Sequence, residues 1–303
     1  RNKAYCLALA WLLALNTVFG QDTATADQLQ RLDTLKTHTQ LYCYSPGQQE
    51  RAATIAVFLE DAVKYFQEEI VFTPQTVFYI LSPQHWKQYA ATPFHEVYGF
   101  PHNIDHVHLA VAAADNDFWR SFLPPVDQLP PAMFRQVTTA YGKADGSYSM
   151  MPFFDLLALH EMGHSYTAQA GLEMQRHWMG ELFVNIMLHT YIAEKRPELL
   201  PALETFPEMV VAGGTEGLQF TSLEDFERLY STMGMGPKNY GWYQSKLHVA
   251  AKDIYNAGGK EVLRKLWTAL KDHRKVLTDE ALTEMLKNEV HPSVADVYLK
   301  WGK

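Results

Sequence analysis

The chain has 303 residues, of which 47% are hydrophobic and 20% are charged, and its formal net charge is −8. Such a length and composition are typical of a globular protein with a sizeable core, in one large domain or two small ones. The acidic balance argues against nucleic acid as a general partner, because that binding needs a basic face.

The N-terminus has the pattern of a secretory signal peptide over residues 1–20. Arg1 and Lys3 form a positive segment, an apolar run follows, and Val18 and Gly20 are small enough for a cleavage site. The pattern predicts a secreted or periplasmic protein. A retained anchor is the alternative, but the apolar run is short for a membrane span, and no later stretch could cross a bilayer.

Residues 21–130 mix short strands with helices and form the predicted N-terminal α/β part of the catalytic domain. Strands are predicted at Leu41–Tyr44, Thr76–Leu81, Val97–Phe100 and Val107–Ala113, and helices at Gln48–Glu69 and Pro83–Tyr89. The proline-rich stretch 124–131 is the predicted boundary.

Residues 131–303 are predicted to be helical. The predicted helices are Phe153–Ala168, His177–Glu194, Glu198–Val211, one capped by Ser222, Tyr240–Asn256, Glu261–Asp272, Asp279–Lys287 and Ser293–Lys300. The pattern as a whole predicts an α+β fold, with a small mixed sheet over a helical bundle and a cleft between them.

The helical stretch Phe153–Ala168 contains His160-Glu161-Met162-Gly163-His164. Residues four apart share a helix face, so both imidazoles can bind one ion, and Glu161 lies beside it, where it can accept a proton from a metal-activated water. The pattern is typical of two zinc ligands and a general base. A chance match is the alternative, but three such polar groups on an apolar helix are costly to bury unless something pairs them.

A catalytic zinc usually keeps three protein ligands and one open position, so a third ligand is expected. Glu181 is the first candidate, because it follows His164 by 17 residues, enough for a turn and an antiparallel helix to return its carboxylate. His177, in the turn before that helix, and His189, two turns beyond Glu181, are the rival candidates.

These motifs resemble the gluzincin metallopeptidases, and within them the catalytic domain of the aminopeptidase N family. That family follows its His-Glu-x-x-His with Trp-Leu-Asn-Glu-Gly-Phe-Ala, and the chain has a similar Trp178–Val184 at a slightly shorter interval. The resemblance covers about Phe153–Gly259. It implies a zincin-like fold and Zn²⁺ bound by His160, His164 and Glu181.

The same family places a catalytic tyrosine at the head of a helix that ends in Gly-Gly, where the hydroxyl stabilises an oxyanion. The resemblance implies this role for Tyr243, ahead of Gly258-Gly259, with Tyr240 as the alternative, although both could simply pack there. The family's aminopeptidases also carry Gly-x-Met-Glu-Asn, whose glutamate holds a free amine. The nearest counterpart here, Tyr98–His102, has no acid at that place, so exopeptidase specificity is not implied.

Asn185, one turn after Glu181, is predicted to hydrogen-bond a ligand histidine, with Asp155 as the alternative. The stretch 115–117 (Asp-Asn-Asp) resembles half a calcium loop and is predicted to be a turn. Four histidines are predicted to line a cleft or face solvent rather than form a second metal site. They are His95, His102, His106 and His108.

The sequence therefore predicts a secreted zinc metallopeptidase that acts on a peptide or protein substrate, with Glu161 as the base and Tyr243 as the oxyanion donor. One alternative is a catalytically silent zincin-like binding module, against which the intact Glu161 speaks. The other is a zinc hydrolase of a non-peptide amide or ester. Cleavage specificity and oligomeric state do not follow from the sequence.

Overall fold

The computed structural model describes residues 31–36, 39–232 and 234–302. The predicted signal peptide lies outside these residues. Among the described helices, none has the length and apolar content that crossing a membrane would require. The described part is α+β, with one small mixed sheet and a larger set of helices.

The sheet has the strand order β1-β2-β3-β5-β4. The three inner strands β2, β3 and β5 are parallel, and the outer strands β1 and β4 are antiparallel to their neighbours. Phe78 and Ile80 lie on the same face of β3 and are fully buried, whereas Val77 and Tyr79 on the opposite face are partly buried. The strands are β1 (Asp33–Thr34), β2 (Leu41–Tyr44), β3 (Val77–Leu81), β4 (His102–Asn103) and β5 (His108–Ala112).

The described residues contain twelve α-helices. They are α1 (Gln49–Ile70), α2 (Pro83–Tyr89), α3 (Asp117–Arg120), α4 (Pro131–Tyr141), α5 (Met151–Gln169), α6 (His177–Lys195), α7 (Leu200–Ala212), α8 (Leu223–Leu229), α9 (Gly236–Gly258), α10 (Glu261–Asp272), α11 (Asp279–Met285) and α12 (Pro292–Lys300). Helices α1, α2 and α5 pack on the sheet. Helices α5, α6, α7 and α9 pack on one another and form the centre of the helical part.

Helix α5 connects the sheet to the helical part, because it contacts both β4 and α6. Its contact with α6 is unusually close at Gly163, where an added Cβ would lie 2.8 Å from Cβ and Cγ1 of Val184. Glycine is therefore needed within the His-Glu-x-x-His motif to let these helices approach. Helix α5 also contacts α1, where Arg51 forms an ion pair with Asp155. The Asp155 carboxylate is therefore engaged with Arg51, and the alternative that it supports a ligand histidine is wrong.

Most predicted elements are confirmed, with ends shifted by one or two residues. Ser222 is the N-cap of α8, and its hydroxyl accepts from the backbone N–H of Asp225 at 3.1 Å. The predicted strand Val97–Phe100 is wrong, since this stretch is a loop in which Gly99 has a φ of +105°. Helix α9 begins four residues earlier than predicted. The boundary at residues 124–131 stays a prediction.

Candidate metal centre

Two neighbouring helices carry the three predicted metal ligands. His160 and His164 lie one turn apart on α5, and Glu181 lies in the second turn of α6. One ligand atom from each of the three lies within 4.8 Å of the others. Among the described residues, this is the only group of three or more histidine, cysteine or acidic side chains with such an arrangement.

The Glu181 carboxylate lies at the centre of the cluster and is almost inaccessible, with 1% of the residue exposed. Its Oε2 atom lies 3.2 Å from Nε2 of His160 and 3.7 Å from Nε2 of His164. Burial acts to raise the pKa of the Glu181 carboxyl, but the two histidines outweigh it and lower this pKa well below its usual range. The carboxyl is therefore ionised and buried.

A hydrogen bond fixes the tautomer of His160. Its Nδ1 donates to Oδ1 of Asn185 at 2.8 Å, which confirms the predicted supporting role of Asn185. Nε2 of His160 is then directed at Oε2 of Glu181. Two acceptors at 3.2 Å are stable only with a cation between them, either a proton or a metal ion.

The donor set fits zinc. Two nitrogens and a carboxylate oxygen are usual zinc ligands, and bonds of about 2.1 Å in a tetrahedron separate ligand atoms by about 3.4 Å. The observed separations of 3.2 and 3.7 Å from Oε2 bracket that value. Oε2 of Glu181 is also buried without a hydrogen-bond partner among the described residues, which a metal ion would supply.

Glu161 lies on the same helix and is fixed by the edge strand β4. Its Oε2 accepts from the backbone N–H of Asn103 at 2.8 Å, and the Asn103 side chain donates to the Glu161 carbonyl and to Oγ of Ser165. Burial raises the pKa of Glu161 to about 7, with His160 lowering it and Glu181 adding to the rise. A carboxyl with such a pKa is suited to proton transfer near neutrality.

The hydroxyl of Tyr243 is engaged away from the cluster. Its hydroxyl donates to the carbonyl of Ser222 at 2.6 Å, and its ring is stacked on Trp301. Tyr240 lies one helical turn earlier. Burial, followed by the charges of Glu181 and Glu161, raises the pKa of its hydroxyl well above the usual value. Helix α9 begins at Gly236, so Tyr240 lies in its second turn and Tyr243 one turn further along. The oxyanion role of Tyr243 stays a prediction, with Tyr240 as its alternative.

Sequence reasoning missed two residues of the centre. The Tyr230 hydroxyl donates to Oε1 of Glu181 from the short turn after α8. The His248 ring of α9 is stacked on His160 with centroids 6.0 Å apart. Burial, followed by the charges of His160 and His189, lowers the pKa of His248 to about 3, so this ring is neutral. No local pattern marks either residue, because both reach the site from distant helices.

The two rival ligands are engaged elsewhere. Nε2 of His189 pairs with Oε1 of Glu204 at 2.9 Å. The His177 ring is stacked on Tyr230 with centroids 4.8 Å apart, and the residue does not belong to the cluster.

The other candidate sites are also accounted for. His102 is buried, with Nδ1 donating to the carbonyl of Phe100 and Nε2 accepting from the N–H of Ala91, so it is neither cleft-lining nor solvated. His108 pairs with Asp105 and His95 with Glu96. Asn116 caps α3, as expected of a turn rather than a calcium loop.

The centre thus combines two imidazoles, a buried carboxylate and a second carboxyl held beside them. No protein-family model, no curated protein and no solved structure gives a match to this chain.

Proposed function

We propose that this protein is a zinc-dependent hydrolase that cleaves peptide bonds. One observation carries the proposal: the buried Oε2 of Glu181 lies 3.2 and 3.7 Å from the Nε2 atoms of His160 and His164. The motif resemblance to the gluzincin metallopeptidases supports the same reading. His160, His164 and Glu181 would hold the ion.

When bound, zinc lowers the pKa of a water molecule toward neutrality and polarises a carbonyl oxygen. With the ion in place, Glu161 would act as the general base toward the attacking water and as the general acid toward the leaving amine. Its Oε2 accepts the N–H of Asn103, and among the described residues no hydrogen bond engages Oε1, which we assign to the proton transfer. Asn185 holds the His160 ring so that Nε2 faces the ion.

Tyr240 is our candidate for the hydroxyl that stabilises the developing oxyanion. Its oxygen accepts from Nε2 of Gln244 at 2.8 Å, and none of the hydrogen bonds of the described residues uses its proton. The protons of the Tyr230 and Tyr243 hydroxyls, by contrast, go to Glu181 and Ser222.

The substrate would approach from the more accessible side of the cluster. Glu161 and His164 are partly exposed, whereas His160 and Glu181 are buried. Edge strand β4 packs on α5 next to Glu161, so it forms one border of the proposed substrate site. Secretion or export to the periplasm is part of this proposal and depends on the signal-peptide pattern.

The proposal is tested with Glu161→Gln, using Glu68→Gln, an exposed position on α1, as the matched control. We expect the wild type and the control to cleave casein or a peptide library, a chelator to stop them, and zinc to restore them. Glu161→Gln should lose at least about 100-fold in rate with its zinc content unchanged, because only the base is removed.

Full activity of Glu161→Gln would contradict the assignment of the base. A panel of non-peptide amides and esters addresses the alternative hydrolase. Zinc binding without cleavage of any substrate would favour the alternative of a silent binding module. No contact in the described residues favours either alternative over a peptidase.

A further inference from the structure

The two oxygens of the Glu181 carboxylate have different surroundings. Oε2 faces the imidazoles of His160 and His164, whereas Oε1 accepts the hydroxyl proton of Tyr230. The carboxylate is buried, so solvent does not compete for either oxygen. Only one of the two oxygens is therefore available to an ion between the imidazoles.

We propose that Tyr230 is a positioning residue that makes Glu181 present a single oxygen to the metal ion. A carboxylate can bind zinc through one oxygen or two, and a second bond would fill the position that a catalytic zinc keeps open. By occupying Oε1, Tyr230 reserves that position for water and substrate. The inference rests on the zinc centre of the proposed function.

Tyr230 is held firmly enough for this role, because α8 is tied to the start of α6. The Glu227 carboxylate accepts from the backbone N–H groups of His177 and Trp178 at 3.0 and 2.8 Å. These are N–H groups of the first helical turn, which have no partner within the helix. Tyr230 follows Glu227 by three residues, and Glu181 follows His177 by four. The hydrogen bonds of Glu227 to the start of α6 therefore fix the positions of both the Tyr230 and the Glu181 side chains.

The Tyr230 ring has a second contact in the same region. It is stacked on the His177 ring, with centroids 4.8 Å apart and planes inclined by 21°. This stacking restricts the ring, so the hydroxyl is directed at Glu181 from a fixed position. A role as oxyanion donor does not fit Tyr230, because its proton is already given to Oε1.

The test is Tyr230→Phe in the full chain, which removes the hydroxyl and keeps the ring on His177. We expect zinc affinity, measured by competition with a chromogenic chelator, to fall about 10- to 100-fold, as is usual when a partner of a metal ligand is lost. We also expect the visible absorption of the Co²⁺-substituted variant to weaken, because a second oxygen of Glu181 would raise the coordination number above four.

The matched control is Tyr191→Phe, whose buried hydroxyl donates to Asp61 at 2.8 Å from the same helix as Glu181. It should keep the zinc affinity and cobalt spectrum of the wild type. A second variant, Glu227→Gln, weakens the anchor without touching the hydroxyl and should lower zinc affinity in the same direction by a smaller factor. Circular dichroism and thermal unfolding establish that each variant is folded.

Wild-type zinc affinity together with an unchanged cobalt spectrum in Tyr230→Phe would overturn this inference and leave the zinc centre intact. A wild-type protein that binds no zinc would overturn the proposed function and the inference with it. A fall in unfolding temperature without any change in metal binding would show that Tyr230 only stabilises the fold, which also contradicts the inference.

Discussion

Replacing Gly163 by alanine perturbs the distance between the two ligand helices without changing any ligand. The new Cβ would lie 2.8 Å from Cβ and Cγ1 of Val184, and these atoms belong to the base of the side chain, which cannot turn away. Ordinary carbon–carbon contacts are about 3.5–4.0 Å, so α5 and α6 must separate by about 1 Å.

The energetic cost has two opposing contributions. Overpacking of this kind costs about 1–3 kcal/mol, and the higher helix propensity of alanine returns up to about 1 kcal/mol. We expect a net loss of about 1–2 kcal/mol in the free energy of unfolding. The same separation would stretch the 3.2 and 3.7 Å distances that join Glu181 to His160 and His164, so zinc affinity should fall about tenfold or more.

Thermal unfolding of the metal-free protein and zinc competition with a chelator measure the two effects. Gly180→Ala is the matched control, since it lies next to Glu181 on α6 and its added Cβ would meet only Met174, at 3.8 Å. This control should be as stable as the wild type or slightly more so, with unchanged zinc affinity. Equal stability and equal zinc affinity of the two alanine variants would refute the close-approach argument.

Three further predictions concern neighbouring contacts. Asn185→Ala removes the acceptor that orients His160 and should weaken zinc binding about 10- to 100-fold in chelator competition, whereas Asn185→Asp should restore most of it. Tyr240→Phe should lower kcat about 100-fold at similar KM, and much more than Tyr243→Phe does, and the reverse order would return the oxyanion role to Tyr243. The third concerns pH. The pKa of His248 is lowered from 6.5 to about 3 in the folded protein, so between these values the unfolded chain binds more protons and stability falls as the pH is lowered. Denaturant unfolding of the metal-free protein should therefore show a contribution of up to about 1.4 kcal/mol per pH unit below pH 6.5 that His248→Phe lacks, and equal pH dependence of the two proteins would contradict it.

The elements that carry the ligands were predictable because they are long and strongly patterned. Helices α5 and α6 were expected almost at their observed ends, and the spacing of His160, Glu161 and His164 is itself a helical signal. Asn185 followed from the same periodicity, one turn beyond Glu181. Local sequence was sufficient wherever a helix alone determined which side chains share a face.

The start of α9 was predicted less well than the ends of α5 and α6. The helix was predicted from Tyr240, whereas it begins at Gly236, and Pro237 occupies its first turn, where the missing N–H of proline is not needed. The rest of the site depends on contacts between distant segments. Tyr230 reaches Glu181 across 49 residues of chain, and Asn103 reaches Glu161 across 58. Strand β4 has only two residues, too few for any alternating pattern.

The central claim is that His160, His164 and Glu181 converge on one zinc ion. Anomalous diffraction at the zinc edge, from crystals of the full chain grown with zinc, tests it most directly. We predict a single strong peak within about 2.3 Å of Nε2 of His160, Nε2 of His164 and Oε2 of Glu181. No peak at that position at saturating zinc, or a peak there with the Glu181 carboxylate turned away, would contradict the claim.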